Sequence, residues 1–261
     1  MHVSILDILS NSDFVLNIFW LILLIFARIL GAVNMCALFT DTYFNSLLRN
    51  SFALVLSLIL IPYYNNLDLS NLTWLAKVIL LVSNFMCGSL IGFFMSLPIY
   101  AIESCGNIID MQRGEQMGAI INQITKNPAS TVGKLLSKSF MVYIIFNNGL
   151  LFFLNLVFNS FTVLPVNSLF PLLDLTHINR YLFLMSEYFH WVVVLALPLI
   201  TIMFFVDIIL GVVSAFIPQL NVTVLSMPIK SISALFVLSL YISFLFHNIF
   251  MKILIHVKDI I

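Results

Sequence analysis

Six apolar runs, at residues 14–39, 51–64, 72–102, 139–164, 188–217 and 232–252, leave this chain few ways to fold. A helix needs about 20 apolar residues to cross roughly 30 Å of hydrocarbon, and most of these runs reach that length. Soluble domains carry about 25% charged residues, whereas only 8% of these 261 residues are charged and 62% are hydrophobic. The expected fold is therefore an all-α integral membrane protein. It is read as a single membrane domain with a central polar loop at about 103–138. The formal net charge is zero, so nothing points to nucleic acid as a partner.

The runs do not form a conventional bundle. "SFALVLSLILIPYY" is short for a span, while 72–102 and 188–217 are long for one and would have to tilt or fold into hairpins. Pro98 and Pro198 lie inside apolar runs, where a broken helix survives only if protein or a water-filled cavity satisfies the freed backbone groups. Charge asymmetry gives no consistent orientation. Asp7 and Asp13 before the first run, with Arg49 after it, weakly favour an outside N-terminus, and Arg113, Lys126, Lys134 and Lys138 would then be cytoplasmic. Six crossings would nevertheless place Lys252 and Lys258 outside, so one segment is expected not to cross, or the assembly is not a bundle in the bilayer. Those aspartates also argue against a cleaved leader, and the first run is expected to persist in the mature protein.

Arg28 and Asp207 interrupt apolar runs, at a cost of about 2.5–3.5 kcal/mol each at bilayer depth. Each is expected to be a buried charge, either paired near a segment end or lining a polar path. Asp207 has Lys230 and Arg28 as candidate partners. His190 and His247 lack ligand-spaced neighbours, and a proton relay with Asp207 is a weaker alternative. Cys36, Cys87 and Cys105 show no metal spacing and read as small buried apolar residues. No phosphate loop, activated nucleophile or catalytic carboxylate pair is visible, so neither enzyme activity nor a cofactor or metal is expected.

Two polar stretches stand apart. In "AIESCGNIIDMQRGEQMGAIINQITKNPAS", a short helix over 103–113 would make Asp110 and Arg113 an i,i+3 pair. Gly106, Gly114 and Gly118 would loosen it or let backbones approach, and "KNP" reads as a turn. The interleaved Met111, Met117, Ile120, Ile121 and Ile124 seek burial. The second stretch, "FIPQLNVTVLSMPIKS", reads as a tight connection between helices held by Pro218 and Pro228, with Lys230 at its end.

Together "AIESCGNIIDMQRG", the following "NP" and the later "PQLNV…LSMPIKS" closely resemble the export-gate membrane protein of bacterial type III secretion systems. This is the T component of the injectisome export apparatus, related to the flagellar R component. The resemblance covers essentially the whole chain, and "DMQRG" favours the injectisome branch. Thr223, where an aromatic is common, is a minor departure.

The resemblance implies bent helical hairpins in a helical, cone-like hetero-oligomeric export gate in the bacterial inner membrane, partly raised towards the periplasm. One copy would join several copies of two smaller membrane proteins, the R and S components. Further implied partners are the autoprotease switch component (U), the large export-gate component (V), needle or inner-rod subunits, and unfolded secreted proteins. The gate would form and seal the pore by which those proteins leave the cytoplasm. The family's plug maps to Gly114, Glu115, Gln116, Met117, Gly118, Ala119 and Ile120, extending towards Asn122, with Asp110, Gln112 and Arg113 at its base. Pro218, Gln219, Leu220, Asn221, Met227, Pro228 and Lys230 carry the second family motif. The flagellar paralogue, a secondary transporter built around Asp207 and a pore-less scaffold are the rival readings.

Overall fold

The computed structural model describes residues 12–40, 44–64, 72–114, 130–167, 175–217 and 222–258. Seven helices are assigned among them: α1 (Ser12–Met35), α2 (Ser46–Tyr64), α3 (Trp74–Arg113), α4 (Thr131–Phe146), α5 (Gly149–Val163), α6 (Leu175–Phe216) and α7 (Val222–Lys258). A single 3-10 turn, Ala37–Phe39, follows α1, and no strand occurs among the described residues. The chain is an all-α membrane protein. Among the described residues four helices are long and apolar enough to cross a bilayer, or five spans if α4 and α5 count together. The short apolar segment of α2, Ser46–Pro62, is not among them.

Helix boundaries differ from the apolar runs in instructive ways. α3 continues from its apolar part through Glu103 and Asp110 to Arg113, so 103–113 ends a 40-residue helix and is not a separate short one. The run at 139–164 is two helices, parted at Asn147 and Asn148, the latter with φ 60°. The predicted connection at 216–231 is much shorter than expected, because α7 begins at Val222 and Pro228 lies inside it. The β-branched Val222, Thr223 and Val224 open this helix, since backbone groups in an apolar setting are best satisfied within one. Pro62, Pro98 and Pro198 also lie within helices. At 1.5 Å per residue, the 40 residues of α3 and 42 of α6 make helices about 60 Å long. That is about twice a hydrocarbon core.

The chain divides into two compact units. One comprises Met1–Ser96 with Leu150–His177 and the last residue; the other comprises Leu97–Gly149 with Ile178–Ile260.

In the first unit, α1 packs closely against α3 through small residues. A Cβ at Gly88 would overlap the Arg28 carbonyl, and one at Gly92 would overlap that of Ala32. Lipid gives helices little hydrophobic reason to associate, so such close backbone packing is a main source of their attraction. One turn further along α3, Ser96 Oγ accepts the Ala37 N–H at 2.7 Å and lies 2.9 Å from the Met35 carbonyl, closing the end of α1. Phe39 then packs its ring against Phe44, Phe52 and Phe153.

Arg28 is buried in this unit, with 1% of its surface exposed. Its Nε and one terminal nitrogen donate to Asn84 Oδ1, at 3.0 and 2.6 Å. The other terminal nitrogen donates to the carbonyls of Ser160 and Leu164, at 3.0 and 2.7 Å. The Phe161 ring lies 4.4 Å from the guanidinium carbon. Asn84 Nδ2 reaches the Val166 carbonyl, and the Tyr64 hydroxyl reaches that of Phe161. Every carbonyl in this group belongs to the last turn of α5 or the residues after it. Helix ends leave their last carbonyls unpaired and carry partial negative charge. Arg28 therefore caps α5, and hydrogen bonds to a charged group, about 1.5–3 kcal/mol each, offset its insertion cost. The partners are an amide and backbone carbonyls, so the polar-path alternative is not needed to explain this residue. All three cysteines are free and buried.

Candidate functional site: the paired helix ends around the central loop

In the second unit, α3 ends within the polar stretch, at Arg113, and α4 starts just after it, at Thr131. Asp110, buried near the end of α3, connects the two ends. Its carboxylate pairs with Arg113, three residues on, and also accepts the Ser130 hydroxyl and the Val132 N–H at 2.9 Å. Ser130 is the N-cap of α4, accepting the Gly133 N–H at 2.9 Å. The carboxylate here satisfies the otherwise unpaired Val132 N–H and meets the positive end of the α4 dipole. The i,i+3 pair expected from sequence is thus present, with added contacts to Ser130 and Val132.

Two glycines make this closure possible. Gly106 faces Gly133 so tightly that a Cβ at either position would clash, the first with the Gly133 Cα and the second with Asn107 and Ser130. Gly114 has φ +84° and donates its N–H to the Met111 carbonyl at 3.1 Å, so it ends α3 in the left-handed conformation that glycine adopts at little cost. Its first structural role is to terminate a helix.

The second family stretch meets the first at this point. Met227 Cε lies 3.3 Å from where a Gly114 Cβ would be. Lys230 Nζ approaches the Gln112 carbonyl at 3.4 Å and pairs with Asp207 at 2.7 Å. Of the two partners expected for Asp207, Lys230 is the one present. Within this chain the Asp207 side chain is 42% exposed and that of Lys230 14% exposed. An ion pair with a long, flexible lysine can form at the edge of the unit without full burial. Gln112 takes part through its backbone carbonyl. Arg113, Gly114, Val132, Leu135, Met227 and Leu235 line a mostly apolar recess of about 540 Å³, completed by Thr131 and Ser231.

The structure therefore brings together Asp110, Gln112, Arg113, Gly114, Asp207, Met227 and Lys230 from the sequence-derived set. Arg28 belongs to the capping group of the other unit. Glu115, Gln116, Met117, Gly118, Ala119 and Ile120 lie outside the described residues, as do Pro218, Gln219, Leu220, Asn221 and the "KNP" turn. Pro228 sits within α7, beside Met227. His190 and His247 are exposed. No group of His, Cys, Asp and Glu able to hold a metal ion occurs among the described residues. Ser130 and Asn84 were missed by sequence reasoning. Ser130 had a legible signal, a serine directly before a helical run; Asn84 had none.

Residues 19–254 match the family described as bacterial export proteins, family 1. The chain is 33% identical to Yop proteins translocation protein T of Yersinia pestis over 195 residues, 75% of each chain. It is 28% identical to secretion system apparatus protein SsaT of Salmonella typhimurium, over 82% of this chain and 84% of the relative. It is 24% identical to flagellar biosynthetic protein FliR of Pectobacterium carotovorum, over 78% and 77%. With a match this extensive, the chain belongs to family 1 of the bacterial export proteins.

Proposed function

We propose that this protein is the T-type component of a type III secretion export gate in the bacterial inner membrane, and that residues 114–120 seal the pore the gate encloses. The family match supports the first part, and the higher identity to the Yop and SsaT proteins than to the flagellar protein favours the injectisome branch. The observation that carries the second part is the Asp110 carboxylate. It ties the residue that starts α4 to the end of α3, so a polar segment leaves and rejoins the helical body at one fixed point. A seal needs such a base, because a segment free at its ends would not return to the same place. Gln112, Arg113 and Gly114 belong to that base; Met117, Ala119 and Ile120 supply the apolar fill, and Gly118 the freedom to fold aside.

The implied partners are several copies of two smaller membrane proteins, the R and S components, followed by the U and V components, needle or inner-rod subunits and unfolded substrates. Helices about twice the thickness of a hydrocarbon core support an assembly partly raised out of the bilayer. Native mass spectrometry of the tagged chain, co-expressed with its neighbouring genes in mild detergent, tests the assembly. One copy bound to several copies of two smaller membrane proteins is the expected result; a monomer or symmetric homodimer stable without partners would contradict it.

A further inference from the structure

The end of α3 is held from a second direction, by residues that the Asp110 tie does not use. The last carbonyls of a helix lack intrahelical partners and form its negative pole. Lys230, on α7, points its ammonium at one of them, the Gln112 carbonyl at 3.4 Å. The same ammonium is paired with Asp207 on α6 at 2.7 Å. Met227, less than one turn before Lys230, packs over Gly114. One long helix, α7, thus meets the last residues of α3 through an ammonium and a thioether, and a second, α6, pairs with that ammonium.

We infer that Asp207 and Lys230 form a latch in which they act as positioning residues, coupling the placement of α6 and α7 to that of the α3 end at Gln112–Gly114. The aspartate orients the ammonium and offsets its charge; the ammonium holds the carbonyl; the methionine fills the space over the glycine. A displacement of α6 against α7 breaks the ion pair and releases the carbonyl, which makes the α3 end responsive to whatever moves those helices. This deepens the proposed sealing role, and rests on it only for the permeability readout described next.

The test uses the assembled complex in native membranes, with Ser231→Cys, in the recess that Gly114 also lines, as a reporter of packing at Gly114 and maleimide labelling as the measurement. Asp207→Asn and Lys230→Met are each expected to raise the labelling rate about fivefold, the scale of one partly exposed ion pair. The charge exchange Asp207→Lys with Lys230→Asp should return labelling towards the parental rate. Ion leak across the membrane should rise in the single variants and fall in the exchange. Unchanged labelling in both single variants, with the complex still co-purifying, overturns the latch. Raised labelling without raised leak keeps the latch and instead overturns the sealing role. If a single variant fails to assemble, Lys230→Arg with Asp207→Glu keeps the charges but shifts the geometry. Labelling raised above parental there supports positional control, and labelling at the parental rate refutes it.

Discussion

Charge is used at helix ends in both units, but under different rules. In the first, Arg28 is fully buried, has an amide and backbone carbonyls as its contacts, and closes the end of α5 with Asn84 and Tyr64. In the second, Asp110 pairs with Arg113, Lys230 pairs with Asp207, and the second pair is partly exposed. A buried cation with uncharged acceptors is costly to disturb, because removing one partner leaves a charge without compensation. The Lys230–Asp207 pair is less enclosed, with its two charges compensating each other and its aspartate partly exposed within the chain. The first arrangement suits a fixed scaffold, and the second suits a point of movement.

The strongest way to break this contrast lies in the first unit. Asn84→Leu removes two hydrogen bonds from Arg28, and a loss of about 3–5 kcal/mol is expected. The thermal midpoint and yield of the purified complex would fall together. Combining it with Arg28→Leu should cost less than the sum of the two single changes, because the stranded charge is gone. Additive losses would show that the residues do not act as one group.

Asp110→Ala should cost less, about 1–3 kcal/mol, from the lost cap and the unpaired Val132 N–H. It should raise ion leak at nearly constant complex yield, the reverse of the Asn84 pattern. Gly114→Ala forces a Cβ into a left-handed backbone, worth about 1 kcal/mol, and crowds Met227. Its effect is expected on leak and labelling more than on yield. The smallest effect sharpens the comparison as a control. Gly211 in α6 has open space where a Cβ would go, so Gly211→Ala should stabilise by about 0.5–1 kcal/mol through helix propensity, without changing leak.

The sequence made the membrane class plain, since long apolar runs admit few alternatives, and it marked Arg28, Asp110, Arg113 and Asp207 as charges needing partners. It could not show where Arg28 is spent. Its acceptors include carbonyls of Ser160 and Leu164, more than 130 positions away, and a carbonyl carries no residue-type signal. Polarity at Glu103 and Asp110 likewise hid the continuity of α3, because a helix outlasts its apolar face when its polar side chains find partners. Two motifs read as separate loops meet at Gly114 and Gln112, a convergence that depends on tertiary packing of α3 and α7.

The most direct test of the sealing role is ion permeability of membranes carrying the assembled complex, compared between the parental chain and a deletion of residues 115–120 that keeps Gly114 as the end of α3. The account predicts intact assembly and a membrane leaky to small ions or solutes, with Asp110→Ala intermediate between the two. A fully assembled deletion variant with unchanged permeability would contradict it.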